Sequence, residues 1–269
     1  MGNPILDDSG DAAPRPRRRG IYVLPNLLTT GSLFAGFYGI IASIDGRYAP
    51  AAIAVIVAGV LDGLDGRLAR LTHTESEFGQ QYDSLSDMVS FGLAPAVIVY
   101  QWGLVRLADY GWIWAKLGWL AAFIYAVAGA LRLARFNVRV ASADRRFFEG
   151  LPSPSAAGLM MSMVWLGTVL GWTGVYTLAL AFVVSSMAGA LMISPFPYYS
   201  FKEIHPRGRI SFTYVFIVPL VFVLIAMDPP AVLFSIGVIY ALSGPLLGLW
   251  RLRRRRLARL PQQEQTREG

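Results

Sequence analysis

The sequence predicts an all-α, polytopic membrane protein, and three observations lead to that fold class. Hydrophobic residues make up 55% of the 269-residue chain. Charged residues make up only 15%, whereas an ordinary soluble domain has about 25%. The apolar residues also gather into runs of roughly 20 residues, the length of a helix that crosses a bilayer. Such helices satisfy their own backbone hydrogen bonds while they lie in lipid.

Eight apolar runs qualify as predicted transmembrane helices, and they occupy the chain between two polar ends. Residues 1–20 are predicted to be a disordered basic cytosolic tail, residues 21–250 a transmembrane domain, and residues 251–269 a second basic cytosolic tail. Gly36 and Gly39 in the first run indicate close packing against another helix. In chain order the predicted spans begin near Pro25, Ala49, Asp83, Trp112, Ser155, Val175, Ser211 and Ala231.

Polar connecting stretches support the boundaries between these spans, because charged residues, Gly and Pro interrupt the apolar pattern there. The second and third spans are separated by a predicted cytosolic loop over residues 71–82, and the fourth and fifth by residues 144–154. The other connecting stretches are residues 45–47, 195–209 and 228–230.

Basic residues predict the orientation, because Lys and Arg are retained on the cytosolic side of a membrane. With eight spans, nearly all basic groups between and beyond the helices fall on one side, and Arg47 and Arg106 are the main exceptions. Both termini are therefore predicted to be cytosolic. The surplus of 24 Lys and Arg over 17 Asp and Glu is expected to face anionic lipid rather than nucleic acid. The groups on the cytosolic side are Arg15 and Arg17 to Arg19, Arg139, Arg145 and Arg146, Lys202, Arg207 and Arg209, and Arg251 and Arg253 to Arg256.

Two polar stripes interrupt the apolar pattern around the predicted loop at residues 71–82. On a helix that turns about 100° per residue, the first stripe falls inside one arc of about 140°. The second stripe follows at four-residue spacing and shares one face of the next helix. We expect the short loop to turn the two stripes toward each other. The first consists of Asp62, Asp65, Gly66, Ala69 and Arg70, and the second of Gly79, Asp83 and Asp87.

The four aspartates have two explanations, helix capping and metal binding. Capping suits Asp83 best, as the N-cap of the third span. Metal binding suits all four, because an ionised carboxylate inside a membrane costs about 2.5–3.5 kcal/mol and two divalent cations would neutralise four of them. Oxygen-only ligands favour Mg²⁺ or Mn²⁺. Asp62 lies roughly 20 Å along a helix that enters at Ala49, so the site is expected in the cytosolic half of the membrane. The ion site of a transporter is instead expected near the midplane.

The spacing of the two stripes resembles the signature of the CDP-alcohol phosphotransferases, integral membrane enzymes of phospholipid synthesis. The resemblance implies a six-helix core, a homodimer and two divalent cations held by Asp62, Asp65, Asp83 and Asp87. It also implies that Asp87 is the general base and that the transmembrane domain is catalytic. The implied CDP pocket is lined by Gly66, Ala69, Arg70 and Gly79. Asn26 and Thr29, where the first span enters the membrane, are further candidates for nucleotide binding, although helix entry also explains them.

Segments outside the signature resemble the bacterial, integral-membrane branch of this family that uses serine as the acceptor. These segments are residues 24–40, 86–96, 131–138, 150–157 and 198–202. The resemblance implies transfer of the phosphatidyl group of CDP-diacylglycerol to the hydroxyl of L-serine, giving phosphatidylserine and CMP, in the bacterial cytoplasmic (inner) membrane. Arg132, Arg135 and Asn137 are candidates to bind the serine carboxylate. The equal alternative for the arginines is membrane orientation or the binding of lipid phosphate.

Two alternative functions stay open. The first is the same chemistry with glycerol 3-phosphate, inositol phosphate or choline as the acceptor. The second is a cation-coupled transporter, in which the aspartates would bind ions without chemistry.

Overall fold

The computed structural model describes residues 23–72, 76–139, 147–199, 219–220 and 223–265. Helices dominate this part of the chain. A π-helical turn, Met88–Leu93, joins the third helix to the fourth, and a 3-10 helix, Leu104–Tyr110, follows the fourth. The main α-helices of the described residues are α1 (Val23–Ile44), α2 (Tyr48–Thr72), α3 (Glu77–Asp87), α4 (Ala94–Trp102), α5 (Trp112–Arg139), α6 (Ser153–Val169), α7 (Val175–Ile193) and α8 (Pro229–Gln265).

The predicted all-α, polytopic class is confirmed. Within the described residues, six helical segments are long and apolar enough to cross a membrane: α1, α2, the continuous segment from α3 to the 3-10 helix, α5, α7 and α8. Helix α6 has 17 residues, and most of its side chains are buried among the other helices. The span predicted to begin near Ser211 lies largely outside the described residues, as does the predicted tail at residues 1–20. The total of eight spans therefore stays a prediction.

The third predicted span begins earlier than the sequence indicated. Helix α3 starts at Glu77 because Ser76 is its N-cap and accepts a hydrogen bond from the Gly79 amide at 3.0 Å. The predicted loop at residues 71–82 is therefore wrong over residues 71–72, which end α2, and over residues 77–82, which begin α3. Asp83 lies inside α3, so the capping explanation is wrong for that residue.

Small residues bring α1 close to its neighbours. A Cβ placed on Gly39 would lie 3.1 Å from the Ala51 carbonyl oxygen of α2, and one on Gly36 would lie 2.8 Å from the Cα of Ser90. Ala51 and Ala58 of α2 are fully buried. The prediction that Gly36 and Gly39 mark close helix packing is confirmed, and α1 lies against both helices that carry the aspartates.

A two-stranded ribbon connects the start of α6 to the end of α7, and the sequence did not predict it. Strand β1 (Phe147–Glu149) pairs antiparallel with β2 (Pro197–Tyr199), and the Gly150 amide donates to the Phe196 carbonyl at 2.9 Å. Tyr198 holds the ribbon on α8, because its buried hydroxyl donates to the Ala241 carbonyl at 2.8 Å. Its ring lies against Gly244, where there is no room for a Cβ.

Helix α8 continues past the predicted boundary at residue 250. Its backbone stays helical from Pro229 to Gln265, so the arginine-rich end follows the last membrane helix without a break in secondary structure.

Candidate active site

Three aspartates from two helices meet at the end of the bundle where α2 gives way to α3. Asp62 comes from α2, and Asp83 and Asp87 come from consecutive turns of α3. One carboxylate oxygen from each lies within 4.8 Å of the others, and all three residues are half-buried. The four-residue spacing on α3 puts Asp83 and Asp87 on one face, and the short connection after Thr72 turns that face toward α2.

Asp65, the fourth predicted ligand, lies next to this group but has a different environment. It is only 4% exposed, and its Oδ2 accepts a hydrogen bond from the Thr29 hydroxyl of α1 at 2.7 Å. It also interacts electrostatically with Asp62, one turn earlier on α2. Asp65 is therefore held against α1, whereas the other three carboxylates face one another.

The residues at this site fit divalent cations. Three carboxylates within 4.8 Å repel one another strongly at low dielectric, so the cluster is stable as anions only with positive charge nearby. In addition, Asp87 Oδ1 is buried and has no hydrogen-bond partner among the described residues. A buried polar atom without a partner is uncommon. Carboxylate oxygens are the ligands that hard cations such as Mg²⁺ prefer.

The residues predicted to line a nucleotide pocket surround the same junction. Gly66 is exposed, and a Cβ placed on it would meet nothing within 4 Å, so there is open space beside it. A Cβ on Gly79 would lie 3.1 Å from Ser76 Oγ and 3.6 Å from Asn26 Oδ1, which brings Asn26 to the start of α3. The space beside position 66 is therefore open, whereas the space beside position 79 is narrow.

The other three nucleotide candidates differ in exposure. Ala69 is half-buried and Arg70 is exposed on α2. Thr29 is buried, and its hydroxyl contacts Asp65. A direct contact between Thr29 and a nucleotide stays a prediction.

The serine-binding candidates lie at the end of α5 that faces the aspartates. Arg132 interacts electrostatically with Asp87, and its Nη1 donates to Ser153 Oγ of α6 at 2.8 Å. Its Nε is buried without a hydrogen-bond partner among the described residues. Asn137 is exposed, and its amide donates to Ser84 of α3 at 3.1 Å. Arg135, which lies between these two residues in the sequence, is half-buried.

Comparison with known proteins assigns the chain to a family. The sequence model of CDP-alcohol phosphatidyltransferase matches residues 22–193, more than half of the chain and all three of the clustered aspartates. The chain belongs to the CDP-alcohol phosphatidyltransferase family. The resemblance inferred from the aspartate spacing is thereby confirmed.

Several curated proteins are similar to this chain over most of its length. The CDP-diacylglycerol–serine O-phosphatidyltransferase of Helicobacter pylori is 35% identical over 205 residues, which cover 76% of this chain and 83% of the relative. The enzyme of the same name from Mycobacterium leprae is 35% identical over 201 residues, 71% of this chain and 62% of the relative. The archaetidylserine synthase of Methanothermobacter thermautotrophicus is 37% identical over 178 residues, 65% of this chain and 69% of the relative.

Sequence reasoning missed several residues that support the CDP-alcohol phosphatidyltransferase site. Ser153 orients Arg132, and Ser84 contacts Asn137. Ser153 lies in the segment 150–157 that carried the resemblance, so a signal was present, but no motif indicated which residue it would contact. The Tyr82 hydroxyl lies 2.9 Å from that of Thr30 and joins α3 to α1 beside the aspartates; nothing in the sequence marked that pair.

Proposed function

We propose that this protein transfers the phosphatidyl group of CDP-diacylglycerol to the hydroxyl of L-serine, giving phosphatidylserine and CMP. The observation that carries the chemistry is the meeting of Asp62, Asp83 and Asp87 in a chain of this family. The choice of acceptor is supported by the relatives, because the Helicobacter and Mycobacterium proteins are named for transfer to serine and the archaeal one for a serine-containing lipid.

We assign two divalent cations, Mg²⁺ or Mn²⁺, to Asp62, Asp65, Asp83 and Asp87. When bound, such ions neutralise the diphosphate and polarise the phosphorus that is attacked. The support is the donor set itself, four carboxylates on two adjacent helices, and the unpartnered Oδ1 of Asp87. Carboxylate oxygens alone suit these hard ions better than zinc.

Asp87 is the proposed general base. Its carboxylate accepts the proton of the serine hydroxyl, which must come within about 2.6–3.2 Å for the transfer. The serine oxygen then forms a bond to the phosphorus that bears the diacylglycerol, and the bond from that phosphorus to the oxygen of CMP breaks. Asp87 suits this role because it interacts electrostatically with Arg132, a candidate for binding the serine carboxylate.

The substrates are proposed to occupy the two sides of the aspartates. Gly66, Ala69, Arg70, Gly79 and Asn26, with Thr29 beside Asp65, form the CDP side, and the open space at Gly66 leaves room for a diphosphate. Arg132, Arg135 and Asn137 form the serine side. The Arg132 guanidinium is the best candidate to bind the serine carboxylate. Ser153 fixes its orientation, and a planar guanidinium can donate two parallel hydrogen bonds to a carboxylate.

We place the protein in the bacterial cytoplasmic membrane, with both termini and the active site on the cytosolic side. The support is that the basic residues follow the ends of the helices nearest the aspartates. Residues 21–250 form the catalytic transmembrane domain, flanked by basic tails at residues 1–20 and 251–269. We also propose a homodimer.

The test is an acceptor assay. Purified protein in detergent receives CDP-diacylglycerol and Mn²⁺, with each alcohol in turn, and CMP release is measured. We expect release with L-serine and little with glycerol 3-phosphate, inositol phosphate or choline. Release only with another alcohol would overturn the serine assignment, and no release with any alcohol would favour a cation-coupled transporter.

A further inference from the structure

Thr29 lies in α1 between the two helices that carry the aspartates. Its side chain is 5% exposed, and its hydroxyl lies 2.7 Å from Asp65 Oδ2 and 3.1 Å from the Pro25 carbonyl oxygen. The hydroxyl has a single proton to donate. Because hydrogen bonds to an ionised acceptor are the shorter and stronger ones, Asp65 receives that proton.

The backbone of Thr29 makes a second contact, to the other helix. The Ser86 hydroxyl donates to the Thr29 carbonyl at 3.2 Å. Ser86 is 2% exposed and directly precedes Asp87. One residue of α1 therefore contacts Asp65 on α2 with its side chain and the neighbour of Asp87 on α3 with its backbone.

The same arrangement repeats about one turn further along α1. The Ser32 hydroxyl donates to the Ala58 carbonyl of α2 at 3.1 Å, and the Ser32 carbonyl accepts from Ser90 of the π-helical turn at 3.1 Å. These buried hydroxyl contacts fix α1 relative to both helices at two levels. At the level of Thr29, unlike that of Ser32, the hydroxyl binds a carboxylate of the site.

The contact with Thr29 constrains the side chain of Asp65. The Thr29 hydroxyl holds Oδ2, and the Gly66 backbone also hydrogen-bonds this carboxylate, so the orientation of Asp65 is constrained from two elements. We propose that Thr29 is a positioning residue, whose hydroxyl fixes the orientation of Asp65 so that this carboxylate completes a divalent cation site with Asp62, Asp83 and Asp87. This inference rests on the proposed function.

Metal binding without substrates tests the proposal. Free Mn²⁺ is titrated into purified protein in detergent and counted by electron paramagnetic resonance. Removal of a residue that orients a metal ligand typically weakens metal affinity about 10–100-fold, and we expect Thr29→Val to fall in that range. Thr29→Ser keeps the hydroxyl and should bind Mn²⁺ like the original protein.

Thr168→Val is the matched control. Thr168 in α6 is a threonine whose hydroxyl donates to its own helix, to the Val164 carbonyl at 2.7 Å, and not to a carboxylate. It lies 15 residues beyond Ser153, roughly 22 Å along the helix, and its loss should leave Mn²⁺ affinity unchanged.

A double-mutant cycle separates positioning from general packing. If Thr29 acts through Asp65, Thr29→Val should weaken Mn²⁺ binding little further in protein that already carries Asp65→Asn, because the two residues then share one effect. Fully additive losses would overturn the proposal. Thr29→Ala repeats the measurement if the valine variant does not fold.

The remaining outcomes distinguish a failure of this inference from a failure of the proposed function. If Thr29→Val lowers Tm but binds Mn²⁺ like the original protein, or if Thr29→Ser is as weak as Thr29→Val, the hydroxyl does not position Asp65. If Asp62→Asn loses Mn²⁺ while Thr29→Val retains it, only this inference fails. If the original protein binds no Mn²⁺, the metal site of the proposed function fails with it.

Discussion

Replacement of Gly36 by alanine tests how closely the active site depends on the packing of α1. A Cβ on Gly36 would lie 2.7 Å from Ser90 Oγ and 2.8 Å from Ser90 Cα. Because the second neighbour is backbone, a rotamer change cannot relieve the contact. Ordinary contact begins at 3.4 Å, so α1 and the π-helical turn must separate by about 0.6 Å, an overpacking change that typically costs about 1–3 kcal/mol.

The displacement should also reach the catalytic residues. Ser90 lies three residues after Asp87, in the π-helical turn that begins directly after that aspartate. A misplacement of about 1 Å in an active site can reduce the rate about 10²-fold. We therefore expect Gly36→Ala to lower kcat about 10–100-fold, with Tm lower by several degrees.

Gly158→Ala provides the control for this experiment. Gly158 lies in α6, and a Cβ placed on it would meet nothing within 4 Å, so its replacement should leave kcat unchanged and Tm equal or higher. The assay is serine-dependent CMP release together with thermal unfolding in the same detergent. If Gly36→Ala matches the control in both measurements, the close contact between α1 and the π-helical turn does not position the aspartates.

Three further predictions follow from the site. Asp87→Asn should abolish CMP release, because the proposed base is lost. In the absence of metal, its Tm should stay equal or rise, because one of three mutually repelling carboxylates is removed. Substantial turnover by this variant would exclude Asp87 as the base. Arg132→Lys should raise KM for serine about tenfold, the equivalent of one charge-assisted hydrogen bond of about 1.5 kcal/mol, and leave KM for CDP-diacylglycerol unchanged. Arg106→Lys is the control for Arg132→Lys. Arg106 also has a buried Nε without a hydrogen-bond partner within the described structure, but it lies at the far end of the segment that starts at Glu77. Equal effects of the two variants on KM would contradict the role of Arg132. Chelation of divalent cations should stop CMP release and lower Tm, and Mn²⁺ at 100 times its Kd should restore about 2.7 kcal/mol of unfolding free energy for each ion bound; an unchanged Tm would argue against a metal site in the folded protein.

The features that the sequence predicted well depend on periodicity within one helix. The starts of α1, α2, α5, α6, α7 and α8 lie within two residues of the predicted spans, because an apolar run and its polar ends are local properties. The approach of Asp62 to Asp83 and Asp87 could be predicted for the same reason. Each stripe follows from helical spacing, and the short connection between the two helices favours an arrangement in which the stripes face each other.

The features that the sequence did not predict depend on how separate helices pack. Thr29 and Asp65 are 36 residues apart, and their contact requires a particular rotation of α1 against α2. The ribbon of β1 and β2 pairs residues about fifty positions apart over only three residues each, too few for an alternating pattern to be visible. The early start of α3 was not predicted because residues 77–82 are too polar to look like part of a membrane span. The helix nevertheless begins there, with Ser76 as its N-cap.

The ribbon has a consequence for the number of times that the chain crosses the membrane. Because β1 precedes α6 and β2 follows α7, these helices form a hairpin that leaves and returns at one side. Helix α6 is about 26 Å long and α7 about 29 Å at about 1.5 Å per residue. Helix α6, the shorter of the two, is largely enclosed by other helices. It therefore has little contact with lipid, and a mismatch between its length and the bilayer thickness matters little.

Helix α8 ends on the same side as the ribbon. Gly237 packs on Leu159 in the middle of α6, and Gly244 packs on Tyr198 in the ribbon, so α8 runs toward the ribbon as its residue numbers rise. Helix α1 begins beside Gly79 at the aspartate end, and Arg132 with Ser153 places the start of α6 there too. Within the described residues, the start of α1 and the later part of α8 therefore lie toward the same end of the bundle. A chain arranged in this way crosses a membrane an even number of times, and the prediction of eight spans agrees with it.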